Sequence, residues 1–137
     1  MSVQVANALW EGTLKMGKGV MKYGEVVSPF TFASRFENGD ATNPEELIGA
    51  AHSGCFSMFL AALLSEKGLT PTVQTQAKVH LGDEDGPKIT HIELSSQVTA
   101  EGLTDDDLQQ LGKVAKENCP ISRLVQGAKV SLTLTLN

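Results

Sequence analysis

The stretch Asn43–Gly68, NPEELIGAAHSGCFSMFLAALLSEKG, decides the fold. Asn43 can cap a helix, Pro44 fits its first position, and Glu46 stands three residues after the cap like the acid of a capping box. Gly68 suits the left-handed residue after a helix, and Pro71 blocks continuation. Between these signals, from Leu47 to about Lys67, the helix is apolar around nearly its whole circumference. Such a helix needs cover on every side. Leu47–Leu64 approaches membrane-spanning length, but His52, Ser53, Gly54 and Ser57 interrupt it, so it reads as a core helix.

Upstream, Val3–Phe36 is rich in valine, threonine and phenylalanine and is punctuated by Gly12, Gly17, Gly19 and Gly24, which predicts three strands in a meander. Downstream, Val73–Leu81 and Lys88–Thr99 predict a hairpin across the polar turn GDEDGP. Thr104 followed by three aspartates opens a second helix, the acids suiting the positive end of its dipole. Leu108, Leu111, Val114 and Ala115 form its expected apolar stripe. Pro120 opens a short third helix with Cys119 at its N-cap and Gly127 after it, and KVSLTLTL alternates as a last strand. The order βββ-α-ββ-α-α-β makes an α+β fold, a single domain over 1–137. One amphipathic sheet covers one side of a helix, so a second copy of the chain is expected to cover the other, in an intertwined homodimer.

Composition narrows the function classes. The chain has 137 residues, a formal net charge of −5 and a sequence pI near 5.1. No basic run could track a phosphate backbone, which argues against nucleic-acid binding. The start MSVQVANALWEG lacks the charged and apolar regions of a signal peptide, so a soluble, cytoplasmic protein is expected. Two cysteines are too few for a disulfide scaffold, and each needs its own explanation.

A cysteine is a useful nucleophile as the thiolate, which needs a cation, a helix N-terminus or a hydrogen-bond donor nearby. Cys55 lies in mid-helix, where its own dipole helps little. Arg35, just upstream of the helix, could favour the thiolate and bind a substrate oxygen, while Glu45 could hold the guanidinium. Glu45 and Cys55 are ten positions apart, about 15 Å of rise on a straight helix. A glutamate acting at Cys55 is therefore expected from the partner chain, unless the helix bends. Cys119, at a helix N-terminus, is suited to condense with a sulfenic acid on Cys55, although spacing alone does not bring the two thiols together.

NPEELIGAAHSGCF, followed far downstream by NCP, resembles the OsmC/Ohr family of osmotically inducible and organic hydroperoxide resistance proteins, and LWEG, GKG and SRFE favour its OsmC branch. The resemblance covers nearly the whole chain. It implies a peroxidase that reduces organic hydroperoxides, and hydrogen peroxide less well, in a domain-swapped dimer whose two long central helices are wrapped by antiparallel sheets. Carried over residue by residue, Cys55 matches the peroxidatic cysteine, Cys119 the resolving cysteine, and Glu45 the partner of a catalytic arginine, for which Arg35 is the choice. The resemblance also implies a Cys55–Cys119 disulfide, regeneration by an external dithiol such as a lipoyl protein, and no cofactor or metal. Phe36, Phe56, Met58, Phe59 and His52 are expected to line the substrate pocket.

Three other readings stand beside this one. His52 and Cys55, one helical turn apart, could ligate zinc with Cys119, His80 or His91. Glu45 or His52 could be the general base of an acyl-thioester hydrolase with a sheet-wrapped helix. The chain could also be a non-catalytic dimeric module with inert buried thiols.

Overall fold

A computed structural model describes all residues, Met1–Asn137. The chain divides into two compact units, Met1–Leu47 and Ile48–Asn137.

In the first unit, β1 (Ala6–Glu11), β2 (Lys18–Tyr23) and β3 (Val26–Phe30) form the expected antiparallel meander. Gly19 sits opposite both Trp10 and Phe30, whose rings close over it with centroids 5.2 Å apart. A Cβ on Gly19 would stand 2.6 Å from each ring, so only glycine admits this stack. A short helix, α1 (Phe32–Phe36), follows where the sequence suggested only strand. Five residues carry no hydrophobic period, and α1 exists because its ends are tied. Thr31 and Ser34 form a reciprocal capping box, and the Ser34 hydroxyl also donates to the Thr42 carbonyl at 2.6 Å.

Helix α2 (Pro44–Glu66) begins as its sequence signals require. The Glu46 N–H donates to Asn43 Oδ1 at 2.7 Å. The Glu46 carboxylate, however, accepts from the Thr42 hydroxyl at 2.8 Å, which takes the place of the second capping-box bond. At the other end Gly68 adopts φ +79°, and the Leu69 N–H reaches the Leu64 carbonyl at 3.1 Å.

The second unit holds the core. The hairpin β4 (Thr72–Asp83) and β5 (Pro87–Thr99) is joined by β6 (Lys129–Leu136), which runs parallel to β5. The sheet is therefore mixed, where wholly antiparallel sheets were expected. A parallel neighbour needs a long crossover, which α3 (Asp105–Asn118) and α4 (Pro120–Leu124) supply. Along β5, Ile92, Leu94, Ser96 and Val98 are buried and pack with Phe56, Leu60 and Leu64 of α2 and Leu108 and Ala115 of α3. Ser57 of α2 is fastened to the sheet by a hydroxyl chain through Thr75 to Ser96, each link 2.6 Å.

Within this unit α2 is covered along one stripe, Gly49, His52, Phe56, Leu60 and Leu64, while Ala50, Ala51, Gly54 and Met58 lie open, Met58 at 77% exposure. On α3 the stripe differs from expectation in one place. Val114 points outward, and Gly112 takes the inner position against β6.

A Cβ on Gly112 would fall 2.0 Å from Leu134 Cδ1. Gly112→Val is therefore expected to destabilise the protein by about 1–3 kcal/mol through overpacking, despite the helix propensity it gains. Urea unfolding measures this, and an unchanged midpoint would show that α3 does not pack here.

Candidate functional site

In the first unit, the capping ties of α1 bring Arg35 to the start of α2. Arg35 Nε donates to Glu45 Oε1 at 2.8 Å, and the Asn43 amide holds the Ser34 carbonyl at 2.9 Å. Glu45 is nearly buried, and its Oε2 has no partner. A carboxylate fixed in this way holds the guanidinium in one place with donors to spare. Arg35 also lies over the Phe36 ring, 5.3 Å from its centroid. The arginine opens on an apolar cavity lined by Trp10, Leu14, Phe30, Phe32 and Phe36.

In the second unit, α3 ends where Pro120 forbids its continuation, and Cys119 adopts extended backbone angles as both C-cap of α3 and N-cap of α4. Its sulfur accepts from the Ser122 N–H at 3.3 Å, as a serine or aspartate oxygen would at an N-cap. The Cys119 thiol in turn donates to Ser122 Oγ at 3.3 Å, and Ser122 Oγ lies 2.7 Å from His52 Nε2. Cys119 and His52 are completely buried. Cys55, one turn beyond His52, is half-buried and lies beside the Cys119 thiol and the Ile121 N–H. Both cysteines are free thiols. Burial pushes the Cys55 thiol up from its ordinary value, the Ile121 N–H pulls it down, and the neighbouring Cys119 thiol pushes it further up. A second donor or a cation is what this sulfur needs to become a thiolate.

The expected pocket residues separate. Phe36 is exposed beside Arg35, and Met58 is exposed on the open side of α2. Phe59 packs partly buried against the core. Phe56 and His52 are fully buried within the second unit, so neither can touch a molecule entering from solvent. Helical alternation turned both onto the stripe that faces the sheet and α4. Ser122 is the residue that sequence reasoning missed. Its signal was the C-x-x-S spacing, which places a serine at the third position after the Cys119 cap.

The proposed zinc ligands do not assemble. Strand alternation puts His80 and His91 on the open face of the second sheet, with stacked rings 5.3 Å apart. There His80 pairs with Glu93, and His91 bonds Ser131 at 3.0 Å. These two histidines and Glu93 form a cluster to which neither cysteine belongs. The two bases considered for a thioesterase are also engaged, Glu45 by Arg35 and His52 by Ser122.

Burial holds the His52 pKa below its ordinary 6.5. Below that pH the unfolded chain takes up a proton that the folded chain refuses. The stability this group contributes is thus complete above about pH 6.5 and is lost as pH falls through the lowered folded value. Urea unfolding from about pH 7 to about pH 5 should show a decline that His52→Gln flattens. Parallel curves for the two proteins would contradict the assignment.

Comparison with known proteins places these features in a family. The OsmC-like protein family matches residues 37–135. Peroxiredoxin OsmC of Escherichia coli K12 is 42% identical over 134 residues, covering 94% of this chain and 93% of the relative. Among solved structures, an OsmC-like protein of Vibrio cholerae superposes with a TM-score of 0.79 at 18% identity, covering 98% of this chain and 99% of that one. An organic hydroperoxide resistance protein of Elizabethkingia anophelis superposes with a TM-score of 0.75 at 24% identity, covering 99% of both chains. With a buried cysteine capping α4 beside a second cysteine on a long apolar helix, and with this likeness along nearly its whole length, the chain belongs to the OsmC-like family.

Proposed function

We propose that this protein is a thiol-dependent peroxidase that reduces organic hydroperoxides, and hydrogen peroxide less well, through Cys55 and Cys119. The observation that carries this reading is the placement of a half-buried thiol, Cys55, within reach of a fully buried one at a helix cap, both reduced. The relatives named peroxiredoxin and organic hydroperoxide resistance protein support it.

The Cys55 thiolate attacks the distal oxygen of the hydroperoxide. The O–O bond breaks, an alcohol leaves after protonation, and Cys55 becomes a sulfenic acid. The Arg35 guanidinium, fixed by Glu45, supplies the positive charge that favours the thiolate and the developing alkoxide. The apolar cavity beside Arg35 suits the alkyl part of an organic hydroperoxide. Cys119 then condenses with the Cys55 sulfenic acid, water leaves, and an external dithiol, such as a protein-bound lipoyl group, restores both thiols by exchange. The working form is a homodimer in which the Arg35–Glu45 pair serving each Cys55 comes from a second copy. The open side of α2, apolar and small-residued around Gly54, supports that assembly.

Steady-state consumption of cumene hydroperoxide with dihydrolipoamide tests the reading. The wild type is expected to turn over, Cys55→Ser to fall to the uncatalysed rate, and Arg35→Ala to lose at least about a hundredfold, the scale of one removed oxyanion donor. Undiminished turnover by Cys55→Ser would overturn the reading.

A further inference from the structure

We propose that Ser122 and His52 relay the proton of Cys119, so that Cys119 attacks oxidised Cys55 as a thiolate. This inference rests on the peroxidase reading above and adds two residues to its second step.

Three observations support the relay. The groups form a continuous chain from thiol to imidazole, Cys119 Sγ to Ser122 Oγ at 3.3 Å and Ser122 Oγ to His52 Nε2 at 2.7 Å. The chain is shut from water, with Cys119 and His52 at 0% exposure and Ser122 at 8%. Its far end is a sulfur that must lose a proton to react, and no solvent reaches that sulfur to take it.

The direction of transfer follows from the donors. A serine hydroxyl has one proton. Because the Cys119 thiol donates to Ser122 Oγ, the hydroxyl proton is free to point at Nε2, which accepts it in the tautomer that carries its proton on Nδ1. Burial keeps the imidazole neutral and so available as one. His52 Nδ1 has no partner, so the ring is engaged in this bond alone. A further stabilisation of the thiolate comes from the Ser122 N–H, which already donates to the sulfur at 3.3 Å.

The step balances. The Cys119 proton passes to Ser122 Oγ as the Ser122 proton passes to His52 Nε2. The Cys119 thiolate attacks the Cys55 sulfur, the S–S bond forms, and the S–O bond of the sulfenic acid breaks. The proton held on His52 returns through Ser122 to the departing hydroxide, which leaves as water, so the net change is the loss of one water and His52 ends neutral. The Cys119 sulfur is oxidised and the Cys55 sulfur is reduced from sulfenic acid to disulfide. Ser122 touches the reacting sulfur, whereas His52 acts through Ser122 as a positioning and proton-holding residue.

Single-turnover oxidation by one equivalent of cumene hydroperoxide, quenched at intervals with dimedone and read by mass, separates formation of the Cys55 sulfenic acid from its condensation. Condensation is expected to slow at least about tenfold in Ser122→Ala and to recover in Ser122→Thr, which restores the hydroxyl. His52→Gln can still hydrogen-bond Ser122 but offers no basic nitrogen. A relay predicts that it condenses as slowly as Ser122→Ala, whereas a purely structural bond predicts the wild-type rate. Wild-type condensation in Ser122→Ala, or in His52→Gln with native circular dichroism, overturns the relay. A wild type that forms neither sulfenic acid nor disulfide overturns the peroxidase reading and the relay with it, a result distinct from a wild type that cycles beside an unslowed variant.

Discussion

The chemistry of this chain depends on one constraint, the seating of the first turn of α4 against the middle of α2. Pro120 stops α3 and starts α4, so the residue between them must be an extended cap. That residue is Cys119, whose sulfur replaces the usual oxygen at an N-cap. The hydrogen bond between Ser122 and His52 then locks this turn onto α2 one turn before Cys55. Two thiols 64 residues apart in sequence become neighbours through a proline, a cap and one buried polar contact.

The cost of that contact explains the polar residues in an otherwise apolar helix. A buried imidazole with an unpartnered nitrogen costs on the order of 1–3 kcal/mol compared with a satisfied one. An apolar residue at position 52 would leave the Ser122 hydroxyl without its partner on α2. The same logic holds at Ser57, which gives up apolar packing to join Thr75 and Ser96. In the first unit the guanidinium of Arg35 is held by a carboxylate that keeps one oxygen free. The first unit thus holds a fixed cation, and the second holds a pair of neighbouring thiols.

Much of this was legible in the sequence because local signals agreed with one another. Asn43, Pro44, Gly68 and Pro71 bounded α2, the polar turn GDEDGP marked the hairpin, and Pro120 placed Cys119 at a cap. What escaped had no local signal. Helix α1 is held by hydrogen bonds to Thr42 and Asn43 rather than by periodicity. Alternation in KVSLTLTL gives burial without direction, so the parallel pairing of β6 could not be read. An all-apolar α2 gave no clue to which side faces the sheet, and Phe56 and His52, expected to line the substrate pocket, lie in the interior of the second unit. The His52–Ser122 bond joins residues 70 positions apart, beyond the reach of any spacing rule.

The central claim is that Cys55 and Cys119 of one chain form a single redox couple. Non-reducing peptide mapping after substoichiometric cumene hydroperoxide, on a mixture of isotopically heavy and light protein, tests it most directly. The account predicts one new linkage, Cys55 to Cys119, with both peptides of the same isotopic label. Mixed-label linkages, or oxidation of either cysteine without the other, would contradict it.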